Sequence, residues 1–292
     1  MPSATSPTPP PGLIRLGGKQ PLGAYIASVW RRREFAWNLA VGALRSQHID
    51  TALGNIWHVI NPLLLIAVYY LIFGVLIERD LGSGADYLSF LAVGIFIYHY
   101  CQRSISTGTT SITSNIGLIR SLQFPRALLP LSAVLQQLLA FGSSAAVMLL
   151  ILMLRGSPPR LGWLMIFPVI MLATLFSIGG ALITSRLTDK VRDIQNVLPY
   201  VFRLIFYMSG ILYSVDRFID EDQLGEQAEL VRTLFLFNPF YDIIGIARHY
   251  LMTGHSEPQI VWMWVFMVAI TTITLIAGAL YFRAGEGEYG RG

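Results

Sequence analysis

Six runs of about 20 mostly apolar residues dominate the sequence, the length an α-helix needs to cross the hydrocarbon core of a bilayer. They fall at His58–Ile77, Tyr87–Thr109, Leu129–Leu154, Gly162–Ile183, Val197–Ser214 and Val261–Phe282. Backbone N–H and C=O groups in lipid must be paired within the segment, which makes each run a helix. Composition agrees: 13% of the 292 residues are charged and 54% apolar, whereas a soluble domain has about 25% and 45–50%. So little polar surface would not keep a globule in water. The expected fold class is an all-α integral membrane protein with six transmembrane helices.

Basic residues set the orientation. With the N-terminus in the cytoplasm, thirteen Lys and Arg lie on the inner flanks and six on the outer ones, Arg103 and Arg203 being inside spans. Both termini are therefore expected in the cytoplasm. A net charge of +4 would suit nucleic acid, but the basic residues are scattered between apolar runs, so no nucleic-acid partner is expected. Residues 1–21 read as a Pro-rich disordered cytoplasmic tail without the basic flank and apolar core of a signal peptide. An amphipathic region (22–57), the six-helix body (58–282) and a short cytoplasmic tail (283–292) complete the division.

Three segments outside the spans carry information. In Leu22–Ala40, the residues Leu22, Tyr25, Ile26, Val29 and Trp30 follow helical spacing beside Arg31, Arg32 and Arg33. Such a helix suits the headgroup layer, aromatics down and arginines on anionic phosphates; a soluble packing helix is the alternative. In the inner stretch Ile112–Arg126, Ser111, Thr113 and Ser114 offer N-caps, Ile116, Ile119 and Leu122 form an apolar face, and Phe124-Pro125 ends the helix. It is too short to span, and reads as a partner surface or a plain connection. The outer loop 215–258 has an acidic portion, then two short apolar stretches, Val231–Phe237 and Phe240–Met252, broken at Asn238-Pro239. That pattern predicts a re-entrant hairpin at the outer end of a pathway, with Asn238, Pro239 and Phe240 at its gate.

Catalytic chemistry is sought and not found. The one approach to a phosphate loop, Gly17-Gly18-Lys19-Gln20, has Leu13 at the required first glycine and Gln20 at the Ser/Thr. No H-E-x-x-H or G-x-S-x-G occurs, the five histidines lack metal-ligand spacing, and the single Cys101 excludes an intrachain disulfide. No catalytic residue and no metal site is expected. Polar residues inside the spans say more. His99, Gln102, Arg103, Ser106 and Thr110 form one stripe on the second span. Arg103 has three open roles: reaching the inner headgroups, meeting a phosphate, or bonding helices together. Tyr200, Arg203 and Tyr207 share a face of the fifth span, and His58, Asn61 and Tyr69 one of the first. Rings with polar tips suit a sugar in a channel and a membrane-interface belt equally.

The stretch Leu53-Gly54-Asn55-Ile56-Trp57 with Pro62-Leu63 and Phe73-Gly74 resembles the first-span signature of ABC exporter permeases that move O-antigen, teichoic acid and related polysaccharides. The resemblance continues through Gly94-Ile95-Phe96, Asn115, Leu118-Ile119-Arg120, Phe124-Pro125-Arg126, Leu129-Pro130, Arg192-Asp193 and Asn238-Pro239 with Arg248. Two departures stand out: Tyr98 where the family often has Trp, and Met208-Ser209-Gly210 in place of Ser/Thr-Pro. The resemblance implies a homodimer in the bacterial cytoplasmic membrane, with a channel from the first and fifth spans. Two copies of a soluble ABC ATPase would bind ATP and Mg, leaving no cofactor in this chain. It makes Ile112–Phe124 the coupling helix, with Asn115, Ile116, Ile119, Arg120, Leu122, Phe124 and Pro125 toward the ATPase. Leu22–Ala40 becomes an interface helix beside the gate through which a polyprenyl-pyrophosphate glycan leaves the inner leaflet. Arginine far outnumbers lysine, which fits a GC-rich genome, and in an actinobacterium the chain would be similar to the galactan exporter permease. A polytopic glycosyltransferase and a channel without energy coupling are the competing classes; the first would need acidic residues at a membrane face, which are few.

Overall fold

The structure, a computed structural model, describes residues 21–47, 56–76, 86–215, 227–286 and 289. The N-terminal tail, Leu53-Gly54-Asn55 and the acidic part of the outer loop lie outside these. The described elements are helices throughout: α1 (Leu22–Arg31), α2 (Arg33–Ser46), α3 (Trp57–Tyr69), α4 (Tyr87–Thr110), α5 (Ile116–Ser121), α6 (Leu128–Leu154), α7 (Ile166–Lys190), α8 (Ile194–Met208), α9 (Gln227–Leu236), α10 (Pro239–Leu251) and α11 (Ile260–Ala284).

At the centre stands α4. From Phe90 to Tyr98 no described side chain other than Gly94 exceeds 2% exposure among Phe90, Leu91, Ala92, Val93, Ile95, Phe96, Ile97 and Tyr98. A helix apolar on every side is one surrounded by others, and α6, α7 and α10 pack around it. Small residues let the backbones close in: a Cβ on Gly278 of α11 would lie 2.6 Å from the Gly179 carbonyl oxygen of α7, and one on Gly108 of α4 would lie 2.4 Å from Ala181 Cβ. Close approach at small residues is how helices associate where lipid supplies no hydrophobic drive.

Three helical stretches among the described residues are long and apolar enough to cross a membrane: Leu128–Leu154, Leu161–Lys190 (α7 with a 3₁₀ turn before it) and Ile260–Ala284. The chain is a multi-pass membrane protein. The second predicted run is also helical for 24 residues, its polar stripe lowering its hydropathy. The first run is an α-helix to Tyr69 that continues as a π-helix over Tyr70–Leu76.

The fifth run departs from expectation. Its helix starts at Ile194 and stops at Met208 after 15 residues, about 22 Å at 1.5 Å per residue and short of a ~30 Å core. Gly210 ends it in the left-handed region at φ 58°. The predicted single helix Leu22–Ala40 is likewise two helices, broken at Arg32 (φ −103°, ψ 23°). Ala36 and Ala40 turn the second of them onto α6. The inner stretch is not one helix over Ile112–Phe124 but a 3₁₀ turn, Thr113–Asn115, leading into the six-residue α5. Its hydroxyls do not cap: Ser111 donates back to the Gly108 carbonyl, and Thr113 and Ser114 to that of Thr110. The outer hairpin forms around its predicted break, with the Asn238 side chain accepting from Phe240 N–H at 3.1 Å and Pro239 at the first helical position.

Candidate functional site

One candidate site is built around α5. Leu122 (51% exposed), Gly117, Arg120 and Ser121 face outward, whereas Ile119 is buried and Ile116 half-buried. Ile119 joins a small core with Ile112, Ala127, Leu129, Leu182, Phe282 and Tyr289, against which Tyr25, Val29 and Phe124 pack. The apolar face read from the sequence is therefore divided: Ile119 anchors α5 to its own chain and Leu122 is left outside. The α1–α2 break sits directly against this element. Arg32 donates to the Gln123 carbonyl, and Phe35 and Phe124 have ring centroids 5.0 Å apart. Trp30 (69% exposed) and Ile26 point outward with the exposed Arg31, Arg32 and Arg33, and the Arg33 guanidinium lies 5.4 Å over the Trp30 ring. Tyr25 instead turns inward beside Glu286, whose buried carboxyl is pushed above its ordinary value by desolvation, against the pull of the Arg126 amide and Tyr25.

Above α5 lies the polar stripe of α4. His99 and Gln102 share a 2.8 Å hydrogen bond, Gln137 of α6 donates to Thr107, and Gln136 donates to Gln47 at the end of α2. Arg103 opens with His99 and Tyr100 onto a cleft bounded by Pro62, Gln137, Phe141 and Ser144, with about 20 Å³ of space for water-sized centres. That is room for about one water.

An exposed face is carried by α3, the π-helix that follows it and α8. Val197, Tyr200, Val201, Leu204 and Tyr207 are exposed, as are Leu64 and Val68 of α3 and Leu71 of the π-helix. Tyr69 stacks on Phe206 at 5.6 Å and its hydroxyl neighbours Tyr207, with Arg203 close by. Arg203 is exposed, 6.0 Å from the Tyr200 ring centroid, and Asn61 is exposed on α3. The structure thus brings Tyr69, Arg203 and Tyr207 together, with Tyr200 on the other side of Arg203; the His58 side chain lies outside the described set.

The outer end of α8 is pinned, which the sequence did not reveal. Asn238 Nδ2 donates to the Met208 carbonyl at 3.1 Å and to Ser209 Oγ at 3.0 Å. Buried Arg248 donates to the carbonyls of Gly210 (2.8 Å), Ile211 (3.1 Å) and Phe90 (3.1 Å), and Tyr87 donates to that of Leu212 at 3.0 Å. The guanidinium carbon also lies 3.3 Å from the Phe90 ring centroid. Phe240, placed at the gate by the sequence, is only 4% exposed and packs against Tyr98, Phe176 and Phe202. Beside the hairpin, His255 Nε2 lies 2.8 Å from Glu257 Oε1, and the Glu257 N–H donates to His249 Nδ1 at 3.1 Å.

Comparison with known proteins converges on these elements. Residues 37–241 match the family described as ABC-2 type transporter. The "O-antigen export system permease protein RfbA" of Klebsiella pneumoniae is 28% identical over 246 residues, covering 83% of this chain and 90% of that protein. A protein of the same name from Myxococcus xanthus is 26% identical over 267 residues, covering 90% and 97%. The family match runs from Trp37 within α2 to Tyr241 early in α10, so α1, residues 32–36, Arg248 and the C-terminal segment lie outside it. With the membrane helices, it shows that the chain belongs to the ABC-2 type transporter family.

Proposed function

We propose that this chain is the membrane permease of an ABC exporter for a polyprenyl-pyrophosphate-linked polysaccharide, taken from the inner leaflet of a bacterial cytoplasmic membrane. Similarity along nearly the whole length to O-antigen export permeases carries the reading. In this reading all six apolar runs line or cross the membrane, both termini are cytoplasmic, and two copies pair around a channel walled by α3 and α8. A separate ATPase subunit supplies ATP hydrolysis with its Mg ion and docks on α5 through Leu122, Arg120 and the turn before them. The exposed Trp30 and Arg31–Arg33 receive lipid headgroups, and Arg103 meets the pyrophosphate at the inner mouth. The O-antigen, teichoic acid and galactan classes share this carrier chemistry.

Depletion of the gene tests the substrate: the lipid-linked glycan carried should accumulate on the cytoplasmic side, and unchanged glycan pools would refute export. For Arg103, replacement by Ala should lower export at least about ten-fold while Lys, which keeps the charge, preserves much of it. Equal and full activity in both would remove the phosphate role.

A further inference from the structure

Six residues make under two turns, and a helix that short has no stability of its own, so what α5 packs against sets its direction. One wall is the α1–α2 break already described. The other comes from the far end of the chain. Past the end of α11, Glu286 Oε1 accepts the Arg126 N–H at 3.0 Å, and the Arg126 guanidinium donates back to the Glu286 carbonyl. Tyr289 is 1% exposed, its ring 4.8 Å from that of Phe282 and its hydroxyl donating to the Phe282 carbonyl at 2.8 Å. It occupies the same small core as Ile112 and Ile119. The turn is tight: a Cβ on Gly285 would lie 2.7 Å from Arg186 Nε. Residues before α5 (Ile112), within it (Ile119) and after it (Ala127) thus share one core with Tyr289, and Arg126 is bonded to Glu286.

We propose that Glu286 and Tyr289 form a strap that fixes the pose of α5, so that a push on α5 from the ATPase reaches the membrane helices instead of swinging α5 on its flanking turns. The proposal rests on the reading of α5 as the docking element. It assigns Glu286 and Tyr289 a positioning role, not contact with the ATPase. The Glu286 oxygen acts here as an acceptor, so a neutral amide can replace it. Tyr289 acts through its ring, with the hydroxyl bond secondary.

The test uses the full permease with its ATPase and compares Glu286→Ala, Tyr289→Ala, Glu286→Gln and Tyr289→Phe, with Leu122→Asp as the docking control. Four quantities are read: ATPase co-purification, ATP hydrolysis, glycan export, and amide exchange along the permease alone. The two alanine variants should retain the ATPase and hydrolysis, exchange about ten-fold faster at residues 112–127 only, and export about ten-fold less per ATP. The Gln and Phe variants should stay near wild type. Export and exchange unchanged in both alanine variants would overturn the strap. So would faster exchange spread through α4 and α6, which would make the contact ordinary packing. If Leu122→Asp leaves ATPase binding and export intact, the docking reading fails, whereas exchange in the isolated permease still reports on the strap.

Discussion

Arg248 shows how a single side chain in this protein closes a backbone account. After α8 the chain leaves helix at Gly210, and the guanidinium fork collects the carbonyls of Gly210 and Ile211 together with that of Phe90 of α4. Buried and bonded to three backbone carbonyls, it depends on that geometry. An ammonium cannot reproduce it. Arg248→Lys should therefore destabilise the detergent-solubilised protein by about 2–4 kcal/mol, the range for a broken buried network, measured as a fall in thermal midpoint. Gly94→Ala should act in the same direction, because its Cβ would lie 2.6 Å from Arg248 Nη2; an unchanged midpoint in both would show that the fork holds nothing. Asp86 plays a smaller part at the start of α4, accepting from Ser89 N–H at 2.8 Å and from Arg155 Nε at 3.1 Å. Burial raises its carboxyl, but the Arg155 and Ser89 bonds outweigh that and hold it below its usual value. A folded-state value below the unfolded one gives stability that is present above about pH 4 and lost as pH falls through the folded value. Asp86→Ala should thus cost about 0.5–2 kcal/mol near pH 7, as for other N-caps, and the gap to wild type should narrow below about pH 4. A gap independent of pH would assign the cost to shape alone.

Among the elements, legibility followed the length of the periodic signal. The long runs became α4, α6 and α11 within two residues of their expected bounds and α7 with its end seven residues later, since twenty apolar residues admit little else. The Asn238-Pro239 break was equally clear, because a residue before proline avoids helical backbone and Asn caps the next helix. The short elements were misjudged for a common reason: tertiary contacts decide them. Ser111, Thr113 and Ser114 have the chemistry of caps but bond to carbonyls behind them, and the break at Arg32 follows from its reach to Gln123, 91 positions away. Of the candidate sites, spacing put Ile26 and Trp30 of α1 on one face with Tyr25 and Val29, and only the first two are turned outward, the other two packing on the small core beside α5. The divided face of α5 was not legible either, since nothing in the local pattern separates Ile119 from Leu122. That division sets a prediction. Leu122→Asp should leave the thermal midpoint of the permease unchanged and release the ATPase, whereas Ile119→Asp should destabilise by several kcal/mol by placing a carboxylate in a core. Equal effects of the two on stability would contradict the inward position of Ile119.

At the scale of the molecule, two exposed helical faces differ in kind. The outward residues of α11, among them Val261, Trp262, Val265, Val268, Ile273, Ile276 and Leu280, carry no charge and apart from Thr272 are apolar. That face suits lipid. The outward face of α8 mixes Tyr200, Leu204 and Tyr207 with an exposed arginine, Arg203. An arginine turned to hydrocarbon costs about 2.5–3.5 kcal/mol even on insertion scales, so this face is better matched to water or to a second copy of the chain. In the function proposed above, the channel for a glycan forms where two such faces meet. Cross-linking decides it. The one native thiol, Cys101, is 1% exposed, so Cys101→Ala leaves a cysteine-free background into which Leu204→Cys or Ile276→Cys can be placed singly. Oxidation in native membranes should link Leu204→Cys protomers into a disulfide dimer and leave Ile276→Cys monomeric. Bifunctional reagents of increasing length should extend the yield at position 204 if the facing helices stand apart around a channel. A dimer formed through position 276 alone would place the pairing surface on α11 and move the pathway with it.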